Sequence, residues 1–146
     1  MIVKKKKPPA TERVFRSPWF ELNYLCTKID YWLYSRQECA KARRYLTRLR
    51  KVLGKLPEND LAIIRQEGWA LFYELEGDLT KAMAHRNREI ELIEQLHREA
   101  ELPRHDEETR AYMLQNHGVA ELKWRRDHLV SLQNDRAEKN GKAISH

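Results

Sequence analysis

The chain is poor in the residues that build disulfide frameworks, β-sheets and membrane spans. Its 146 residues include two Cys, five Gly and five Pro, and Cys26 with Cys39 cannot form a disulfide framework. Val, Ile and Thr together number only 17, which excludes a β-rich fold. No apolar run approaches the roughly 20 residues of a transmembrane helix. The lysine-rich start also lacks the apolar stretch of a secretory signal. We therefore expect an intracellular, cytoplasmic protein, or a nuclear one in a eukaryote, without a membrane span.

The residues that are abundant favour long amphipathic helices. Ala, Glu, Lys, Leu and Arg number 74, half of the chain, and 34% of all residues are charged. Such a composition is typical of helices with long charged faces. The predicted fold class is all-α, with five to six antiparallel helices stacked as helical hairpins. We expect a basic flexible arm over residues 1–16, a single all-helical domain over residues 17–137 and a frayed C-terminal tail over residues 138–146.

Capping and breaking residues predict where the helices begin and end. Ser17 followed by Pro18 is typical of a helix start, and Pro57 prevents a helix from continuing. Gly54 is expected just after the end of the second helix, at the C′ position. Asn59 or Asp60 is expected to cap the third helix. The six predicted helices cover about residues 19–36, 38–53, 60–76, 79–101, 107–115 and 119–137.

The pair Gly77-Asp78 predicts the sharpest turn of the chain. Gly77 can adopt the left-handed conformation that ends one helix, and Asp78 can cap the next. Two helices joined by so short a turn pack antiparallel as a hairpin. The segment over residues 68–82 resembles the central part of a tetratricopeptide repeat (TPR), in which small residues let two helices approach closely. The residues that match are Ala70, Tyr73, Gly77, Asp78 and Ala82.

The same comparison shows departures and a weaker second copy. Gln66 stands where the family favours an aromatic residue, while Arg86 and Glu89 stand where it favours a large apolar residue and Ala. An earlier hairpin aligns through Ala42 against Ala82 at an offset of 40 residues, against 34 in the family. There Gln37-Glu38 replaces the Gly-Asp turn. The resemblance implies a TPR-like array of helical hairpins that serves as a protein-binding module.

Positive charge is concentrated in the first third of the chain. Residues 1–55 carry 15 Lys and Arg against 4 Asp and Glu, whereas residues 56–146 carry 13 against 18. The spacing +3, +4, +3, +4 along the second predicted helix places five cations in one stripe. With the arm, this stripe could contact a row of phosphates; the alternatives are a solubilising face or pairing with the acidic helices that follow. The candidate phosphate-binding residues are Lys4, Lys5, Lys6, Lys7, Arg13, Arg16, Lys41, Arg44, Arg48, Lys51 and Lys55.

Tyrosines recur on one face of the first predicted helix, at positions 24, 31 and 34. In tetratricopeptide repeats the first helix of each hairpin lines a concave groove that holds an extended peptide. A tyrosine-rich, mostly polar groove suits a peptide or a stacked base; the alternative is that these tyrosines are ordinary core and boundary residues. By the alignment above, the candidate partner-binding groove comprises Tyr24, Thr27, Tyr31 and Tyr34 in the first copy and Ile64, Glu67, Leu71 and Glu74 in the second.

Signals for a metal centre or for catalysis are weak. Glu94 and His97 form half of a di-iron helical motif, but the chain has no second Glu-x-x-His. Arg110 and His117, or Arg98 and His105, have the spacing seen in the small all-α ribonucleases of the HEPN family. The polar residue that usually follows that Arg is absent from both pairs. We therefore predict no catalytic residue, no metal site and no cofactor.

Three functions follow from these observations. The first is a non-enzymatic adaptor or assembly subunit that binds a protein or peptide through the predicted groove. The alternative is a nucleic-acid-associated factor that contacts RNA or DNA phosphates through the arm and the basic stripe. The third is a small HEPN-like ribonuclease that uses Arg110 and His117. A solvent-exposed basic stripe would favour the nucleic-acid function, and an open aromatic groove would favour the adaptor.

Overall fold

A computed structural model describes residues 15–58, 62–114 and 119–144, apart from the side chains of Tyr112 and of residues 140–144. These residues form seven α-helices and one π-helical turn, and they include no β-strand. The all-α prediction is therefore confirmed. Contacts divide the chain into two compact units, residues 1–58 and residues 59–146, whereas the sequence predicts one domain over residues 17–137. We call them the N-terminal and the C-terminal unit. No helix in the described ranges is long and apolar enough to cross a membrane.

The N-terminal unit is a hairpin built on helix α1. Helix α1 (Pro18–Asp30) begins as predicted, with Pro18 at its first turn and the Ser17 hydroxyl accepting a hydrogen bond from the Phe20 backbone N–H at 3.4 Å. A π-helical turn (Tyr31–Ser35) extends it. Helices α2 (Cys39–Arg43) and α3 (Leu46–Lys55) then return along α1. The core lies between these helices and comprises Leu22, Leu25, Cys26, Ile29, Ala42, Tyr45, Leu49, Val52 and Leu53.

The second predicted helix is wrong in two details. It is split at Arg44 and Tyr45, whose backbone N–H groups bond to carbonyls only three residues back. This tighter hydrogen-bond pattern interrupts the α-helix and raises the number of helices above the predicted six. Gly54 does not end the helix, because α3 continues to Lys55. The helix stops at Leu56, whose extended conformation (ψ 141°) is the one imposed on a residue that precedes proline.

The turn between the π-helical segment and α2 falls where the sequence predicts a break. Gln37 adopts a left-handed conformation with φ 54°. In the described parts of the chain it is the one residue other than glycine that has a positive φ. Gly77 occupies the corresponding position of the second hairpin with φ 85°. The two hairpins thus share a turn conformation, although only the second has the glycine that favours it. Glu38, unlike Asp78, makes no side-chain capping bond.

The C-terminal unit contains the hairpin predicted from Gly77 and Asp78. Helix α4 (Ile63–Glu76) ends at the left-handed Gly77, and helix α5 (Leu79–Ala100) begins where the Asp78 carboxylate accepts a bond from the Lys81 N–H at 3.2 Å. Both predictions are confirmed. The expected cap at residues 59–60 lies outside the described residues, and α4 has Ala62 at its N-cap. Ala70 and Ala82 are fully buried in the hairpin, which permits the close approach of α4 and α5.

Two further helices complete the C-terminal unit. Helix α6 (Glu107–Leu114) is capped by Asp106, which accepts a bond from the Thr109 N–H at 2.7 Å. This bond lowers the pKa of the Asp106 carboxyl below its ordinary value of 3.8. Helix α7 (Val119–Ile144) packs along α5 through Leu122 and Leu129. It includes most of the predicted frayed tail, while residues 116–118, between the fifth and sixth predicted helices, lie outside the described residues.

The departures from the tetratricopeptide pattern are buried together in the α4–α5 hairpin. Gln66, Arg86 and Glu89 are 3%, 0% and 2% exposed. The Arg86 guanidinium donates to the Glu89 carboxylate at 2.7 Å, and Gln66 Oε1 lies 2.8 Å from His85 Nδ1. The hairpin interior of this chain is therefore partly polar and charged.

Candidate nucleic-acid interface

An aromatic row follows the outer side of α1. Phe20, Tyr24, Thr27 and Tyr31 are spaced by four, three and four residues, so they share one side of the helix. The buried residues Leu22, Leu25, Cys26 and Ile29 occupy the opposite side. Phe20 is 64% and Tyr31 45% exposed, Thr27 is exposed and Tyr24 is half-buried. The tyrosine-bearing half of the predicted groove is thus a partly open surface of the N-terminal unit.

Five exposed cations follow the outer side of α2 and α3. Because Leu49, Val52 and Leu53 face the core, the residues opposite them on the helix face solvent. These outer residues include the exposed cations Arg43, Arg44, Arg50, Lys51 and Lys55. Thr47 and Gly54 lie on the same side and are also exposed. We call these five cations the cationic row.

None of the cationic row forms an ion pair with an acidic side chain in the described parts of the chain. Arg44, Lys51 and Lys55 belong to the predicted phosphate-binding stripe. The row extends over residues 43–55, and its first and last residues are roughly 18 Å apart along the helix axis at 1.5 Å per residue. Its charges remain available to an external anion.

The other two cations of the predicted stripe are engaged within the unit. Arg48 Nε lies 3.3 Å from the Glu21 carboxylate, a half-buried pair that joins α3 to α1. Lys41 Nζ lies 3.5 Å from the Glu38 carboxylate, and 4.5 Å from the centre of the Trp32 ring. The prediction that all five form a free phosphate-binding stripe is therefore wrong for Arg48, whose guanidinium serves the packing of two helices.

These two engaged cations connect the aromatic row to the cationic row. The Phe15 ring contacts both the Tyr24 ring, at 4.9 Å between centroids, and the Arg48 guanidinium, at 5.8 Å. At the C-terminal end of the aromatic row, the centroids of the Tyr31 and Trp32 rings are 4.9 Å apart, and Lys41 Nζ lies over the Trp32 ring.

One contact chain therefore runs from Tyr24 of α1 and the other from Tyr31 of the π-helical turn, each to a cation that is a helical neighbour of Arg44. The structure brings together two groups that the sequence treats as separate sites. Phe15 and Trp32, which make the connection, were not among the predicted site residues. Neither residue has a regular helical spacing with the tyrosines, so the sequence pattern did not indicate that they belong to the site.

The other half of the predicted groove lies in the C-terminal unit. Leu71 is fully buried, so its assignment to an open groove is wrong: it belongs to the core of the α4–α5 hairpin. Ile64, Glu67 and Glu74 are half-buried on α4. Tyr34 lies within the π-helical turn, where the altered helical period removes the simple register with Tyr24.

Several predicted phosphate-binding residues of the arm lie outside the described residues, namely Lys4, Lys5, Lys6, Lys7 and Arg13. Arg16 is described and is exposed just before α1. It adds a further cation near the N-terminal end of the aromatic row.

Among the described residues, the weaker candidates for metal binding and catalysis are not brought together into a site. Glu94 pairs with Lys123 at 3.4 Å, and in the described ranges no group of three or more His, Cys, Asp or Glu side chains could hold a metal ion. Arg110 donates to the Ala100 carbonyl at 3.1 Å and so closes the end of α5. Its proposed partner His117 lies outside the described residues. His105, of the other pair, lies 3.1 Å from the Glu99 carboxylate.

Comparison with protein-family models, with curated proteins and with solved structures finds no match to this chain.

Proposed function

We propose that this protein is a nucleic-acid-associated factor that binds a phosphate backbone through its N-terminal unit. The observation that carries the proposal is the cationic row of α2 and α3. Five exposed Lys and Arg side chains lie on one side of a helical segment, without an acidic partner in the described chain. Phosphate contacts of this kind supply most of the affinity of sequence-independent nucleic-acid binding.

The charge of the whole unit supports the same function. Residues 1–58 carry 15 Lys and Arg against 5 Asp and Glu, a net charge of +10. Residues 59–146 carry 13 against 17, a net charge of −4. The net positive charge of the chain thus belongs to the unit that presents the cationic row. Such a field attracts a polyanion and accelerates its association.

The test is the binding of labelled 20-nucleotide DNA and RNA, single-stranded and duplex, by fluorescence anisotropy over a series of salt concentrations. The informative variant is Arg44→Gln/Lys51→Gln/Lys55→Gln, with changes in and just before α3, and we call it the α3 variant. It changes only exposed side chains. A matched control, Arg98→Gln/Lys123→Gln/Lys139→Gln, removes the same charge from the C-terminal unit.

We expect wild type and the control to bind at near-physiological salt and the α3 variant to bind at least tenfold more weakly. If all three cations contact phosphates, the slope of log affinity against log salt falls by about 2 for a single strand and by nearly 3 for a duplex. Equal losses in the two variants would mean that net charge alone drives binding. No binding of any nucleic acid would refute the proposal.

A second candidate function is a protein-binding adaptor or assembly subunit, with the α4–α5 hairpin as a TPR-like scaffold. One observation favours it: Trp124 is 59% exposed on α7 and stacks on His128, on the side away from the buried Leu122 and Leu129. Exposed tryptophans are over-represented among the residues that dominate protein interfaces.

A random peptide library displayed on phage tests this second function. Enriched peptides should bind the full chain in solution and lose affinity in Trp124→Ala but not in Val130→Ala, a variant at another exposed apolar position of α7. The adaptor function would be contradicted if the selection enriched no peptide, or if the enriched peptides bound Trp124→Ala as tightly as wild type.

A further inference from the structure

The aromatic row of α1 has an exposed ring at the point where the helix is distorted. Tyr31 is 45% exposed and begins the π-helical turn. Its contact with Trp32 is edge-to-face, with 69° between the ring planes. Such a contact occupies at most one face of the Tyr31 ring. At least one ring face is therefore not used by Trp32.

The local backbone around Tyr31 is costly, which points to a role beyond stability. A π-helical turn is rare and recurs at functional sites. It is followed by the left-handed Gln37, a conformation that disfavours residues with a Cβ atom. Sparsely populated conformations of this kind cluster at binding sites, where they position side chains. Here they position Tyr31, Trp32 and Lys41 in one contact chain.

We propose that the nucleic acid bound by the N-terminal unit is single-stranded, with an unpaired base stacked on Tyr31 while the adjoining phosphates contact the cationic row. This inference rests on the nucleic-acid function proposed above. Lys41 Nζ lies 4.5 Å from the centre of the Trp32 ring, and Lys41 is one helical turn from Arg44 of the cationic row. A strand whose base reaches Tyr31 therefore has its backbone beside the cations.

The stacking geometry discriminates between single strands and duplexes. In a duplex, base faces are covered by neighbouring bases, so that an aromatic ring on a convex helix cannot reach them. In a single strand every base exposes a face, and stacking on aromatic side chains is tolerant of sequence. A pairing of aromatic and cationic rows is the arrangement by which sequence-independent single-strand binders hold their ligand.

The experiment compares three ligands of equal length in the full chain: a single strand, the matching duplex, and an abasic strand that keeps the phosphates but lacks bases. Each is tested as DNA, and the single strand also as RNA. The variants are Tyr31→Ala, which removes the ring, and Tyr31→Phe, which keeps it. Circular dichroism checks that both variants fold.

We expect Tyr31→Ala to weaken single-strand binding by about 5- to 150-fold, the range of one stacked base. Duplex and abasic binding should be unchanged, and Tyr31→Phe should resemble wild type. A strand carrying 2-aminopurine should lose fluorescence on binding to wild type and to Tyr31→Phe, since stacking quenches this base, but not on binding to Tyr31→Ala.

The outcomes separate this inference from the function on which it rests. If single-strand, duplex and abasic ligands bind equally and all lose affinity in the α3 variant, phosphate binding stands and base stacking is refuted. If Tyr31→Ala weakens the binding of all three ligands by the same factor, the Tyr31 ring supports the fold rather than contacting a base, and the inference is likewise refuted. If no ligand binds wild type, both fail.

Discussion

The buried ion pair of the α4–α5 hairpin yields a prediction about stability. Arg86 is completely buried, and the side chain of its partner Glu89 is only 3% exposed, with 2.7 Å between guanidinium nitrogen and carboxylate oxygen. Replacing Glu89 with Ala removes that carboxylate and leaves the arginine charge enclosed. Breaking a buried pair in this way typically costs about 3–5 kcal/mol. We expect Glu89→Ala to lower the free energy of unfolding by that amount.

The same helix provides a matched control. Arg88 and Glu91 have the same i,i+3 spacing and a similar separation of 3.2 Å, but their side chains are 38% and 63% exposed. Exposed pairs of this kind contribute about 0.5 kcal/mol or less. Glu91→Ala should therefore have almost no effect on stability. The difference between the two Glu→Ala variants measures what burial adds.

A double variant completes the experiment. Arg86→Leu/Glu89→Ala replaces both charges by the residue types that the tetratricopeptide pattern favours at these positions. Replacing a buried pair by apolar residues is often neutral or stabilising, so the double variant should be clearly more stable than Glu89→Ala alone.

Urea denaturation followed by far-UV circular dichroism and by tryptophan fluorescence gives the free energies. For a unit of this size, a loss of 3 kcal/mol corresponds to a fall in Tm of at least about 12 °C. The reasoning would be refuted if Glu89→Ala and Glu91→Ala were equally mild, or if the double variant were no more stable than Glu89→Ala.

Three further predictions concern the backbone and the pH dependence. Gly77→Ala should destabilise by about 1–2 kcal/mol, because φ 85° is unfavourable for alanine although its Cβ would meet only ordinary contacts; Gln37→Gly should instead stabilise by up to about 1 kcal/mol, since glycine relieves the strain at φ 54°. Urea titration measures both, and opposite signs would overturn the argument. The Asp106 carboxyl should titrate below its ordinary pKa of 3.8, since the Thr109 N–H stabilises the charged form. Its contribution to stability is present above pH 3.8 and is lost as pH falls through the lowered value. An NMR titration giving a pKa at or above 3.8 would contradict this.

Much of the local structure follows from short-range rules. Ser17 with Pro18, Gly77 with Asp78, and Asp106 each start or end a helix as their residue types predict. These signals work because a cap or a left-handed turn involves only a few neighbouring residues. Where two local signals compete, the outcome is less predictable. Pro57 rather than Gly54 sets the end of α3, because the conformation of Leu56 is constrained by the proline ring.

The site was only partly predictable for a different reason. The basic stripe and the tyrosine face were both evident as periodic patterns, but periodicity cannot tell an exposed cation from one that bridges two helices. Arg48 has the same spacing as Arg44, yet it meets Glu21, 27 residues earlier in the chain. Leu71 has the spacing of a groove residue, yet it is fully buried. Only the packing partners distinguish these cases.

The helical class, most helix boundaries, the α4–α5 hairpin and the concentration of positive charge in the first third of the chain could all be predicted from the sequence. These features depend on composition and on neighbours within about four residues. Only the packed fold shows which cations face solvent, that Arg86 and Glu89 are enclosed together, and that Tyr24 and Tyr31 connect through Phe15 and Trp32 to Arg48 and Lys41. Those outcomes depend on contacts between residues far apart in the chain, because burial and pairing are set by which helix faces meet.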